Sequence, residues 1–256
     1  MRTWLMVAAV LAGSVCPVLG QFPGGEAIEV PLRVEDGLLR VTVDGPDGAE
    51  YDFVLGLGMT LITESGAARM GDAVSSLTLG GVPVDTEQAF TVPDEQLVIS
   101  GEVPAGVLGG MTLNKFDVLI DVPNRRLVLR PIGRSVRWDG VTLSNPVRLT
   151  LFHGVLARVD VEVGGQVFGG LLDLAAPHMA VNEPVRTATQ FSGDRLGSFR
   201  MGYAGWTDLA VVVTDSPIFQ GWDPQGKGFV IIGAPVAYDC AIAISWAHAE
   251  LRTCIQ

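Results

Sequence analysis

Leu171-Leu172-Asp173-Leu174-Ala175-Ala176-Pro177-His178-Met179-Ala180-Val181-Asn182 is an apolar run that ends in one acid, turns on small residues and resumes as a second apolar run. A strand that runs into a carboxylate and turns at once offers that carboxylate to a cleft. Phe53-Val54-Leu55-Gly56-Leu57-Gly58-Met59-Thr60-Leu61-Ile62-Thr63 has the same outline. Superposing the two stretches sets Gly56 on Asp173, Leu57 on Leu174 and Gly58 on Ala175, so one copy carries an acid that the other lacks.

The signals around these stretches recur in the same order. Residues 30–43 alternate apolar and polar about a break at Glu35-Asp36-Gly37, the mark of a hairpin. Residues 64–70 read as one or two helical turns, and residues 77–84 read as a hairpin turning on Gly80-Gly81. Residues 89–100 carry strand pattern, Val107-Leu108-Gly109 is an apolar pair closed by glycine, and residues 116–130 form a hairpin turning at Pro123-Asn124. The order then restarts. Residues 147–163 are a strand pair broken near His153-Gly154, followed by a turn at Gly164-Gly165 and a strand into Asp173. A short helix over 183–189, strands over 199–214, a glycine-rich loop over 221–228 and Ile231-Ile232-Gly233 complete the copy. Gly56 and Asp173 are 117 apart and Gly109 and Gly233 are 124 apart, a drift that surface-loop insertions account for. The expected architecture is therefore all-β, with one half over 26–132, a linker over 133–146 and a second half over 147–256.

Each half resembles a retropepsin-like lobe, and the pair resembles the bilobed pepsin-like fold of the aspartic peptidases. In that family an apolar strand delivers an Asp-Thr/Ser-Gly turn and a downstream apolar-apolar-glycine segment packs beneath it. Asp173-Leu174-Ala175-Ala176 resembles the turn, and Val107-Leu108-Gly109 and Ile231-Ile232-Gly233 resemble the glycine segments. Residues 116–121 with Arg125-Arg126-Leu127 resemble the hairpin that ends such lobes in bacterial members. The resemblance implies a peptidase whose two facing carboxylates share a proton and activate one water. The departures argue against that chemistry here. Gly56 stands at the first acid position, Leu57 and Leu174 replace the hydroxyls that clasp the opposite lobe, and Ala175 replaces a glycine. Leucines at the cleft floor substitute apolar packing for the clasp. Asp173 has two readings, a remaining catalytic or ligand-binding acid and a relic whose carboxylate accepts hydrogen bonds from turn amides. Asp36, Glu64 and Asp72 lie near the first stretch in sequence, but none occupies a strand-to-turn position.

Composition narrows the remaining classes. The chain has 256 residues, 48% hydrophobic and 18% charged, with 32 glycines, enough apolar content for a sizeable β core. A formal net charge of -11 without a basic cluster disfavours nucleic acid. His153, His178 and His248 are too scattered for a metal, and no phosphate loop, dinucleotide fingerprint or serine elbow is present, so neither metal nor cofactor is expected. Arg2, the apolar run over 4–15 and Val18-Leu19-Gly20 read as an export signal over 1–20, placing the chain in the periplasm or the medium, with no membrane attachment after cleavage. Cys240 and Cys254 remain, and a hairpin folded about Ala247 sets them opposite each other as a candidate disulfide. The function that the resemblance and its departures imply is a monomeric peptidase homologue that no longer cuts and binds an extended peptide or protein segment between its lobes. The alternatives are an active endopeptidase that pairs Asp173 with another acid, and an inhibitor or interaction scaffold.

Overall fold

The computed structural model describes residues 27–133, 138–215, 217–223 and 225–255. The expected export signal, and residues 134–137 of the expected linker, lie outside them. Strands dominate, and their side chains follow the period-two rule wherever one face is solvated. Along Leu156–Val163 the residues Ala157, Val159, Val161 and Val163 are buried while the residues between them are not. Phe116–Asp121 is buried at every position, as a strand covered on both faces must be.

Two sheets carry the repeat. The first runs Val82–Pro83, Thr78–Leu79, Leu38–Asp44, Glu50–Leu55, Gly106–Leu108, Leu61–Thr63, Phe90–Val92, with Arg33–Glu35 paired to Leu38–Asp44. The second runs Ala204–Trp206, Phe199–Met201, Leu156–Val163, Gln166–Leu172, Phe229–Ile232, Met179–Val181, Leu209–Val213, Arg195–Leu196, with Thr150–Phe152 paired to Leu156–Val163. The order is the same over the seven shared strands, the second sheet adding Arg195–Leu196 at one edge, and the register is the same too. Phe53 pairs in parallel with Gly106, and Gly170 with Val230, which are 117 and 124 positions further on. The turn at Gly80-Gly81 has φ of 58° and 82°, backbone that glycine adopts without steric cost and that matches strand twist.

A third sheet joins the halves. Its order is Ile28–Pro31, Arg126–Pro131, Phe116–Asp121, Ile242–Ser245, Glu250–Thr253, Val147–Arg148, three strands from each half. At its centre Leu119 pairs antiparallel with Ala243. These two positions differ by 243 − 119 = 124, the spacing between equivalent residues, so an approximate two-fold axis passes between them. One continuous apolar core reaches through both halves and includes Phe53, Leu55, Phe199 and Val230. Each such side chain contributes about 1.5–3 kcal/mol on burial.

Three details differ from the sequence expectation. Residues 89–100 are a strand only over Phe90–Val92, because Pro93 starts a 3-10 turn at Asp94–Gln96. The loop expected over 221–228 begins later, since Pro217–Trp222 is helical. The cysteine hairpin has a four-residue turn, with Ser245 paired to Glu250 and Ile242 to Thr253. That register would set position 240 against 255 rather than 254. The ladder has ended by then, however. Cys254 N–H donates to the carbonyl of Ala241 at 3.0 Å, and the Cys240–Cys254 disulfide closes with the Cα atoms 5.3 Å apart. No helix among the described residues is long and apolar enough to cross a membrane.

Candidate functional site

Glu50–Leu55 and Gln166–Leu172 each end at a turn, and both turns hang from the neighbouring strand by the same bond. Gly56 N–H donates to the Leu108 carbonyl at 2.9 Å, and Asp173 N–H to the Ile232 carbonyl at 3.0 Å. Gly56 and Asp173 therefore occupy equivalent corners. The two corners also lie near each other. A Cβ built on Gly56 would stand 3.3 Å from the Ala175 Cβ and 2.7 Å from Val107 Cγ1. A Cβ on Gly58 would stand 3.7 Å from Leu156 Cδ2 of the second half.

The glycine segments sit beneath these turns at van der Waals limits. A Cβ on Gly109 would lie 2.3 Å from the Met59 carbonyl oxygen, and one on Gly233 would lie 2.3 Å from that of His178. Backbone there leaves space for hydrogen alone. Leu57 and Leu174 are both fully buried in the shared core, the environment that would oppose a hydroxyl at either position.

The second turn is longer than the first. Ile62 pairs with Gly106, and Val181 with Val230, so the offset has risen from 117 at the corners to 181 − 62 = 119 beyond them. Two of the seven residues of drift enter inside the turn itself, rather than in a surface loop. The longer turn is held by different contacts. Ala234 N–H donates to Ala176 at 2.8 Å, where in the first half Gly110 N–H donates to Gly58 at 2.6 Å. A Cβ on Gly37, at the tip of the first hairpin, would lie 3.7 Å from Pro177 Cβ. The Tyr238 hydroxyl donates to the Gly37 carbonyl at 2.6 Å, so the first half's hairpin tip rests on the second half. Burial raises the Tyr238 phenol above its ordinary pKa.

Asp173 is ringed by protein atoms without being sealed from solvent. Its Oδ1 accepts from the Ala175 N–H at 3.2 Å. Removal from water holds its carboxyl above the ordinary carboxylate range, and the Ala175 N–H offsets part of that rise. Among the described residues no acidic side chain hydrogen-bonds to it, and Asp36, Glu64 and Asp72 are committed to the surface of the first half. His178 is exposed. No group of three or more His, Cys, Asp or Glu side chains is placed to hold a metal ion among the described residues.

One polar feature under the first turn escaped the sequence reading. Thr60 is fully buried, accepts from the Gly109 N–H at 3.2 Å and lies 3.0 Å from Thr112 Oγ1. Thr112 donates to the Asp85 carbonyl at 3.0 Å, so Thr60 must be the donor in the threonine pair. The equivalent positions in the second half, Met179 and Val236, are apolar and fully buried. Thr60 was the only hydroxyl between Leu55 and Ile62, and that isolation was the available signal.

No family model matches the sequence, and a search of curated proteins finds no match. Solved structures do match. The crystal structure of Basic 7S globulin from soybean superposes with a TM-score of 0.55 at 10% identity, over 89% of this chain and 94% of that one. The fold is the all-β, two-lobed pepsin-like fold. At that identity the likeness carries architecture alone. The two corners described above lie at the ends of equivalent strands of its two lobes.

Proposed function

We propose that this protein is a non-cleaving homologue of the aspartic peptidases that is exported, works as a monomer and binds an extended peptide or protein segment between its lobes. The observation that carries the reading is the pair of corners. One holds a half-buried Asp173, and the equivalent one is Gly56, with Val107 and Ala175 occupying the space that a side chain would need. In the chemistry of the aspartic peptidases, hydrolysis of an amide uses two carboxyl groups in complementary protonation states about one water. A single carboxyl supplies one of them. A groove between two lobes edged by strands would suit recognition of peptide backbone by strand addition.

The test is digestion of unfolded substrate proteins between pH 3 and 7, with the Asp173→Asn variant in parallel. No cleavage by either protein is expected. Cleavage that disappears in Asp173→Asn would establish the alternative, an active endopeptidase with a second acid. Binding is read separately by titration with a peptide library, and saturable binding that survives Asp173→Asn is expected.

A further inference from the structure

On the outer face of the sheet that joins the halves, Asp117, Trp138, Ser245 and Arg252 line a cavity with about 10 Å³ of room for the centre of a water-sized sphere. Each of the four has one polar atom that is buried and finds no partner in the protein: Asp117 Oδ1, Trp138 Nε1, Ser245 Oγ and Arg252 Nε. The rest of each side chain is already engaged. Asp117 Oδ2 accepts from the Gly133 N–H at 3.3 Å, and Arg252 Nη1 donates to the Ser144 carbonyl at 3.3 Å. Arg252 Nη2 lies 3.6 Å from Glu250, and Arg130 covers the face of the Trp138 ring at 4.5 Å. Asp117, Trp138 and Ser245 are 2%, 6% and 4% exposed, so solvent does not reach these atoms directly.

An unpaired buried polar atom carries the full cost of its lost hydration, and four side chains that line one cavity and each hold such an atom share one remedy. We infer that this cavity is the binding site of a single internal water that ties the two halves and the linker together. The atoms match its valence. Trp138 Nε1–H and Arg252 Nε–H are donors, Asp117 Oδ1 is an acceptor and the Ser245 hydroxyl takes either role, against the two donors and two acceptors of a water molecule. The room is that of about one water. A metal cation is disfavoured by the two N–H donors, and an anion by Asp117. The four groups come from separate parts of the chain: Phe116–Asp121 of the first half, the linker, and Ile242–Ser245 and Glu250–Thr253 of the second. Asp117 and Ser245 are direct cross-strand partners where the halves meet.

The experiment is a crystal structure of the parent protein at about 1.5 Å, with melting temperatures of Ser245→Val and Ser245→Ala. One ordered water within 3.2 Å of at least three of the four atoms is expected. Valine fills the cavity and strands the remaining groups, so Ser245→Val should melt at least about 4 °C below Ser245→Ala, which leaves room for the water. A dry cavity would give the opposite order, because filling an apolar void stabilises. Density that shows no water, or a direct Asp117–Arg252 pair, overturns the inference, as does a Ser245→Val protein that melts at or above Ser245→Ala.

Discussion

Replacing Gly56 by alanine adds one methyl at the first corner, and the surroundings set its cost. The new Cβ falls 2.7 Å from Val107 Cγ1 and 3.3 Å from Ala175 Cβ, against an optimal carbon–carbon separation of about 3.5–4.0 Å. Val107 is buried and fixed in the sheet through its pairing with Val54 and Leu61, so the clash is relieved only by moving packed atoms. Overpacking of this kind costs about 1–3 kcal/mol. The backbone at Gly56 is not in the left-handed region, so alanine also gains about 0.4–1 kcal/mol by restricting the unfolded chain. The steric term wins, leaving a net loss of about 1–2 kcal/mol, or roughly 2–8 °C in melting temperature for a chain of this size. Val107→Ala removes the obstructing methyl. In a double-mutant cycle followed by urea unfolding, the pair should lose less than the sum of the single losses by at least about 0.5 kcal/mol. Gly56→Asp adds the same Cβ and a second carboxyl beside Asp173, so restoring the acid should cost at least as much stability and give no peptidase activity. A Gly56→Ala protein as stable as its parent, or two changes that simply add, would refute this account of the corner.

Asp173 gives a pH test. Its carboxyl is raised in the folded protein, so the folded form holds the proton more tightly than the unfolded one. That stabilisation is complete below the unfolded pKa and disappears as pH rises through the folded one. Asp173→Asn keeps an acceptor for the Ala175 N–H without the charge, so its melting temperature should exceed that of the parent at pH 7 and lose that advantage at pH 3. An equal difference at both values would sink the argument. Opening the Cys240–Cys254 bridge, by reductant or by Cys254→Ser, releases a loop with a sequence separation of 14 and should cost about 3 kcal/mol, or roughly 6–12 °C on thermal melting. Asp223 accepts from the N–H groups of Lys227 and Gly228 and from Asn182 Nδ2. Asp223→Ala should therefore speed hydrogen exchange at those two amides and cost about 1–3 kcal/mol. Gly233→Ala drives a methyl to 2.3 Å from a backbone carbonyl and should yield no soluble protein, whereas Gly221→Ala, in a helix with open space around it, should stay soluble and gain about 0.5–1 kcal/mol.

The all-β class and the repeat were legible because local signals agreed with the final structure. Asp36-Gly37, Gly80-Gly81 and Pro123-Asn124 do turn the chain, and Glu64–Met70 and Glu183–Thr189 are helices. Equivalence of Gly56 with Asp173 followed from the apolar runs on either side. The longer second turn was not legible, because small residues such as Ala175 and Ala176 fit more than one turn length. The centre of the joining sheet was hidden for a different reason. Pairing of Leu119 with Ala243 is a contact between distant segments, and two apolar strands carry no mark of which partner each will choose. The register of the cysteine hairpin was missed by one residue, since nothing in Trp246-Ala247-His248-Ala249 distinguishes a three-residue from a four-residue connection.

The approximate axis between Leu119 and Ala243 bears on how such a molecule can change over generations. In an assembly of two identical halves about a true axis, one codon writes both corners, and an acid is kept or discarded twice in a single event. Once both halves are written in tandem, each corner has its own codon, and one can drift while the other stays put. A lone aspartate opposite a glycine is a state open to the tandem arrangement and closed to the identical pair.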